Sequence, residues 1–213
     1  MELTIKLAQN ERELMQGILE QYAENINNTL KLSYNTVYQR IASQIRQRIQ
    51  ESSEVQSLIS GDLRQELGIV DGQQAVTDIT KAVTDNIELT IESARVTNGQ
   101  IVSGGYLIKI IQSNYQALFA LPSVAYFSKN VLIPWLSWLL SAGTSPVIFG
   151  YRIDYNPENS QNSRTGGPIM VKSQGSWSVP QEYAGTIDDN FLTRALSGIE
   201  QEIQYILSQE VGR

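Results

Sequence analysis

With 213 residues, of which 41% are apolar, the chain can bury a sizeable core in one domain or in one domain plus an extended arm. It contains neither cysteine nor histidine, which excludes disulfide frameworks, Cys/His zinc sites, thiol nucleophiles and every catalytic arrangement that uses imidazole as base. A formal net charge of −6 and a pI near 4.8 argue against a protein that grips nucleic-acid phosphates over a broad face, although an acidic lumen lets DNA slide past.

The opening run MELTIKLAQNERELMQ has no basic start followed by an apolar stretch and a small-residue cleavage site, so no secretory signal is expected. Over residues 1–51, Leu14, Ile18, Tyr22, Ile26, Leu30, Val37, Ile41, Ile45 and Ile49 recur at spacings near four, with one slip of seven after Leu30. That period predicts one long helix, or two joined end to end with a bend near Asn27-Asn28-Thr29 or over residues 33–35, where poor helix formers cluster. Unbroken over about 40 residues, it measures roughly 60 Å, more than a compact domain covers. Glu11, Glu13, Glu20 and Glu24 dominate its first half, while Arg40, Arg46 and Arg48 stand in the second. A solvated face and a subunit contact both account for this division of charge. Asn27-Asn28-Thr29 also matches a glycosylation sequon, discounted without a secretory signal.

Val55, Leu58, Ile59, Leu63 and Leu67 form a second amphipathic stretch, with Gly68 placed as a left-handed cap. Asp71-Gly72 reads as a turn, with too few oxygens nearby for a calcium loop, and leads into a third helix that ends near Asn86. At Ile87 the period changes to two. Residues 87–92 read as a strand, Asn98-Gly99 as a type I′ turn, and residues 101–111 as a second strand interrupted by Gly104-Gly105. No phosphate-binding glycine pattern is present, so nucleotide binding is not expected.

Residues 114–121 are ambiguous between strand and helix. The run NVLIPWLSWLLSAG predicts a short helix started by Pro134, stopped at Gly143 and buried because it is apolar nearly all round. Its most apolar part, residues 131–140, is far shorter than the roughly 20 residues a bilayer requires, and no membrane role is expected. Residues 147–155 alternate as a strand. Residues 156–167, NPENSQNSRTGG, lack any large apolar side chain and are expected to form a mobile hairpin loop, with Asn159, Gln161, Asn162 and Arg164 as candidate lumen or interface residues. A strand over residues 167–173, a turn at Gln174-Gly175-Ser176 and a short strand ending before Pro180 follow. Thr186 and Asp189 form a capping-box pattern that predicts a helix starting near Ile187, with Phe191, Leu192, Ala195, Leu196, Ile199, Ile203, Ile206 and Leu207 on one stripe laid on the sheet.

The predicted fold class is α+β: a long N-terminal helical region, a mixed or antiparallel sheet of roughly four to six strands, and a C-terminal amphipathic helix packed on that sheet. The expected division is a helical arm over residues 1–86 and an α+β body over residues 87–213. Trp177 and Tyr183 are expected as core or interface anchors. Arg194 is expected to pair with Asp189 or Asn190 or with a neighbouring subunit's acid.

The segment SRTG, a strand ending in Trp177, and then VPQEYAGTIDDNFLTRAL, together with IPWLSWLL upstream, resembles a family of tailed-bacteriophage virion proteins known as neck or tail-completion proteins. The matching positions are Trp177, Val179, Pro180, Glu182, Tyr183, Ala184, Gly185, Thr186, Asp189, Asn190, Phe191, Thr193, Arg194 and Ala195, and the likeness is specific over residues 133–196. The resemblance implies a structural subunit of the head–tail connector, located in the virion, without enzymatic activity, cofactor or metal. It implies a homo-oligomeric ring of about six or twelve copies by analogy with such necks. Other neck, portal-side and tail-tube proteins would be its neighbours, and DNA would cross its lumen without sequence-specific binding. Arg40, Arg46, Arg48, Asn159, Gln161, Asn162, Arg164, Trp177 and Arg194 are then the candidate partner-binding residues. A tail-terminator or head-completion adaptor ring is an alternative within that setting. Outside it stand a non-viral helical-arm binding module, and a wall-degrading glycosidase using Glu182 with Asp188 or Asp189. Acids at a helix start also gain from the helix dipole without any catalytic purpose.

Overall fold

A computed structural model describes residues 10–110, 115–128 and 131–211. In chain order it contains the helices α1 (Glu11–Glu51), α2 (Ser53–Ser60), α3 (Asp62–Glu66) and α4 (Gly72–Asp85), then the strands β1 (Glu88–Glu92), β2 (Arg95–Thr97), β3 (Gln100–Val102) and β4 (Gly105–Lys109). A short helix α5 (Gln116–Phe119) precedes β5 (Tyr126–Ser128), β6 (Val131–Ile133) and α6 (Trp135–Ser141). The ribbon strands β7 (Pro146–Asp154) and β8 (Ile169–Ser178) follow, and the helices α7 (Phe191–Ala195) and α8 (Glu200–Val211) close the described chain. The class is α+β, with a long N-terminal helix, antiparallel strand pairs and a C-terminal helical stretch.

The strands do not gather into one sheet. They form four separate antiparallel pairs, β1–β4, β2–β3, β5–β6 and β7–β8. Between β3 and β4, Ser103 and Gly104 both take positive φ (62° and 100°), where the chain leaves the β2–β3 pair for β4. Asn98 and Gly99 close the β2–β3 hairpin with φ of 50° and 71°, as the Asn-Gly pair predicts.

The described residues pack as two compact units, each discontinuous in sequence. Among the described residues, one comprises those within 10–41, 88–109 and 201–211, and the other those within 42–87 and 110–200. Helix α1 is unbroken from Glu11 to Glu51, the first of the two alternatives that its period allows. Asn27, a poor helix former, is retained because its side chain clamps the backbone of Ala94, accepting from the amide at 2.7 Å and donating to the carbonyl at 2.9 Å. The slip of seven between Leu30 and Val37 is filled by two polar anchors. Buried Ser33 lies 3.0 Å from the Tyr106 hydroxyl on β4, and the Tyr34 hydroxyl donates to the Leu89 carbonyl on β1 at 3.0 Å. At the other end of the chain, Arg40 of α1 forms an ion pair with Glu210 of α8.

In the second unit, α2 packs on α3 and α4, and α4 packs on α5 and on the one-turn helix Pro122–Val124. Gly68 has the left-handed φ of 66° expected after α3. The apolar α6 is buried through Trp135, Leu136, Leu139 and Leu140, and the Trp135 indole donates to the Ser123 carbonyl at 3.2 Å. Three local expectations are corrected. Residues 174–176 are not a turn but part of one continuous β8 whose pairing with β7 shifts register there, around Gly150 at φ 78°. The C-terminal helix starts at Phe191 rather than near Ile187, because Asn190 supplies the cap. That helical stretch is also broken into α7 and α8, with Gly198 at φ 74° between them. Residues 1–9 of the predicted long helix and residues 111–114 of the ambiguous segment lie outside the described residues.

Gly72 opens α4 in direct backbone contact with α2, so that a β-carbon there would stand 1.9 Å from the Leu58 carbonyl oxygen. Gly72→Ala is therefore expected to destabilise the protein by about 2 kcal/mol or more, read as a lower urea midpoint. A variant melting with the parent would contradict this packing.

Candidate functional site

The ribbon β7–β8 carries most of the candidate residues. Its connecting segment is not a structureless loop: Pro157–Asn162 forms a short 3-10 helix capped by Asn156, whose side-chain oxygen accepts from the Glu158 amide at 3.1 Å. Asp154, the last residue of β7, accepts from the Asn156 amide at 3.1 Å and from the Asn159 side chain at 2.9 Å. A polar composition is what lets twelve residues without an apolar anchor fold on themselves, because each side-chain oxygen replaces a missing backbone partner. Gln161 and Asn162 stay exposed on this helix.

The ribbon is fastened to α3 and β5 at three points. The Arg164 guanidinium lies 4.0 Å over the Tyr126 ring, and the Tyr126 hydroxyl donates to the Leu67 carbonyl at 2.6 Å. Glu66 receives one donor on each carboxylate oxygen, the Tyr155 hydroxyl on one and the Trp177 indole at 3.3 Å on the other. Trp177 is buried and meets Trp138 of α6 in a tilted arrangement at 6.2 Å. Burial pushes the Tyr126 phenol above its ordinary value, with the Arg164 charge opposing. Tyr155 is pushed well up, first by burial and then by its hydrogen bond to Glu66 and the charges of Glu66 and Asp62. Asn159, Arg164 and Trp177 therefore belong to one assembly, with Gln161 and Asn162 at its exposed edge.

The segment that carries the family resemblance is a second assembly, built around Asn190. This residue is fully buried, and its side-chain oxygen accepts from the Leu192 and Thr193 amides at 3.1 and 3.3 Å. Its side-chain amide donates to the Tyr115 hydroxyl at 2.9 Å and to the Thr186 carbonyl at 2.8 Å, while its backbone N–H donates to the Thr193 hydroxyl oxygen at 2.8 Å. Gly185 has no room for a side chain, since a β-carbon would sit 2.6 Å from both the Asn190 β-carbon and the Leu139 carbonyl oxygen. Arg194 holds Asp189 at 3.0 Å, as expected, and also Glu54 of α2 at 2.7 Å. Glu54 is almost wholly buried, at 6% exposure, so Arg194 supplies the charge that its burial requires. Nearby, Arg48 donates to the Ser197 carbonyl at 3.2 Å, and Arg46 is exposed.

Structure thus separates the nine candidates. Arg40, Arg48, Asn159, Arg164, Trp177 and Arg194 are engaged within the chain, whereas Arg46, Gln161 and Asn162 face outward. Glu182, Asp188 and Asp189 are exposed, and Asp189 is held by Arg194. Sequence reasoning missed Glu54, Glu66, Tyr126 and Tyr155, whose partners are far away along the chain. Asn190 followed three residues later by Thr193 was a readable capping signal. Among the described residues, no group of three or more His, Cys, Asp or Glu is placed to hold a metal. A depression lined by Val83, Asn86, Tyr115, Leu118 and Leu192 has about 30 Å³ of room, suited to a water rather than a ligand.

Comparison with protein-family models, with curated proteins and with solved structures finds no match for this chain.

Two outcomes follow from this geometry. Tyr126 and Tyr155 both have raised phenol values in the folded protein, so their contribution to stability is fully present below the ordinary value of 10.0 and is lost as pH rises above it. Stability measured by urea unfolding is expected to decline above about pH 10, and Tyr155→Phe should shallow that decline; an unchanged slope would show that Tyr155 titrates alike in the folded and unfolded chain. Arg194→Met is expected to cost about 1–3 kcal/mol, and pairing it with Glu54→Gln should cost less than the sum of the two single changes. Strict additivity would mean that the two side chains do not interact.

Proposed function

We propose that this chain is a structural virion protein of a tailed bacteriophage, a neck or tail-completion subunit of the head–tail connector. The resemblance over residues 133–196 names the role, and its quoted positions fall on the Trp177 and Asn190 assemblies, which are arrangements for packing rather than for chemistry. The observation that carries an assembly role is on α1. Leu14, Met15, Ile18 and Tyr22 are 43–60% exposed in succession along one side of the helix, a contiguous apolar stripe of the kind that marks an interaction surface. On this reading the subunits form a ring, and the exposed Gln161 and Asn162 face the DNA channel or the adjoining ring. The choice among tail completion, tail terminator and head-completion adaptor rests on the resemblance alone, which favours tail completion.

Disrupting the gene in a phage that carries it is expected to yield filled heads and finished tails that fail to join, and mass spectrometry of purified particles should detect the chain. Normal particles without it would overturn the proposal. The double change Gln161→Ala and Asn162→Ala should shift stability by no more than about 0.5 kcal/mol, because neither side chain is buried, while lowering the yield of joined particles. Full infectivity in that variant would remove the loop from the contact.

A further inference from the structure

We propose that Asn98-Gly99 is a site of spontaneous covalent modification, at which the asparagine loses ammonia through a cyclic imide and becomes aspartyl or isoaspartyl. The proposal is independent of the neck reading, because the only co-reactant is water.

The first step is an intramolecular acyl transfer. The backbone nitrogen of Gly99, having given its proton to hydroxide, attacks the side-chain carbonyl carbon Cγ of Asn98. A Cγ–N bond forms, the Cγ–Nδ2 bond breaks, and the departing nitrogen takes up a proton and leaves as ammonia. Water then opens the five-membered ring. Cleavage at Cγ gives an aspartyl residue on the original backbone, whereas cleavage at the Asn98 backbone carbonyl gives an isoaspartyl residue whose main chain runs through the β-carbon. Exchange of NH for O adds about one mass unit in either case.

Ring closure requires a carboxamide free to turn and a following nitrogen that is neither bonded nor crowded. Asn98-Gly99 is the sole Asn-Gly pair in the chain. Both residues are exposed, and nothing lies within 4 Å of where a Gly99 β-carbon would stand. Among the described residues, neither the Asn98 carboxamide nor the Gly99 N–H has a hydrogen-bond partner. The chemically related pairs are held. Asp71, which precedes Gly72, accepts from the Gln74 amide at 2.9 Å, and Gly72 is buried against α2. The Asn159 carboxamide donates to Asp154 at 2.9 Å, and the nitrogen that would attack Asn162, that of Ser163, donates to the Ser160 carbonyl at 2.9 Å.

The closed turn, with φ of 50° and 71°, must open before the Gly99 nitrogen can reach Cγ. That opening is local. The β2–β3 hairpin has three residue pairs and joins no larger sheet, and so small a two-stranded hairpin is marginal by itself. What restrains it is at its base, where the Asn27 side chain holds Ala94, the residue before β2. The two products differ in consequence. Aspartate tolerates positive φ, so the aspartyl chain keeps the turn and gains a negative charge. The isoaspartyl chain lengthens a two-residue turn by one methylene, which takes Thr97 and Gln100 out of register.

The test keeps the purified chain at mildly alkaline pH for some weeks and maps its digests by mass spectrometry, with isoaspartyl scored by an isoaspartate-specific methyltransferase. Conversion at Asn98 is expected to run several-fold faster than at Asn162 or Asp71 and to rise in proportion to hydroxide. In Asn27→Ala, with the helical circular dichroism of the parent, it should be several-fold faster again. Urea below the unfolding midpoint of the parent should accelerate it in the same way, which covers the case in which that variant does not fold. An intact Asn98, or conversion at Asn162 as fast as at Asn98, would overturn the site. A rate unchanged both by Asn27→Ala and by urea would overturn the control by hairpin opening.

Discussion

A single unbroken helix of 41 residues is the constraint on which the rest depends. At 1.5 Å per residue it is about 60 Å long. Its chain buries one face from Ala23 onward, through Leu30, Val37, Ile41, Ile45 and Ile49, and leaves the stripe from Leu14 to Tyr22 in water. Three of its weaker positions are tied to the hairpins. Asn27 is fixed on Ala94, and Ser33 and Tyr34 are fixed on β4 and β1. These polar anchors hold the segment to its hairpins where apolar side chains are missing, so stability there comes from satisfied hydrogen bonds more than from area.

The segment from Trp177 to Arg194 acquires a physical explanation residue by residue. Trp177 is buried against Trp138, Pro180 accepts from the Tyr183 and Ala184 amides in a tight turn, and Gly185 allows the backbone to touch Asn190. Asn190 then caps α7, and Arg194 reaches back to Glu54. The buried groups among these, Trp177, Asn190 and Glu54, have each exchanged water for a partner, which favours a well-defined unit. A well-defined unit of this kind suits a part that must hold its shape while neighbours attach.

Local features were legible because they are written in adjacent residues. The Asn98-Gly99 turn, the left-handed Gly68, the buried α6 and the change of period at Ile87 all follow from sterics or from alternation within a few positions. What could not be read was pairing across distance. Two alternating segments predict two strands but not which strand each one meets, and here four isolated pairs form where one sheet was expected. Arg194 was readable as a partner of Asp189, five residues away, but not of Glu54, which lies 140 positions earlier. The hairpin segment over residues 156–167 misled for a related reason. Its lack of large apolar side chains suggested disorder, yet its asparagines and serines build a 3-10 turn from within. The exposed stripe on α1 was hidden in a period that continues unchanged from bare to buried positions.

The account treats the polypeptide as a structural part of a virus particle, and a reconstruction of the intact particle by electron cryomicroscopy examines that claim most directly. The account predicts density for this fold repeated in a ring between the head and the tail, with α1 of each copy in contact with its neighbour. A head–tail junction fully occupied by other proteins, with no density that fits this chain, would contradict it.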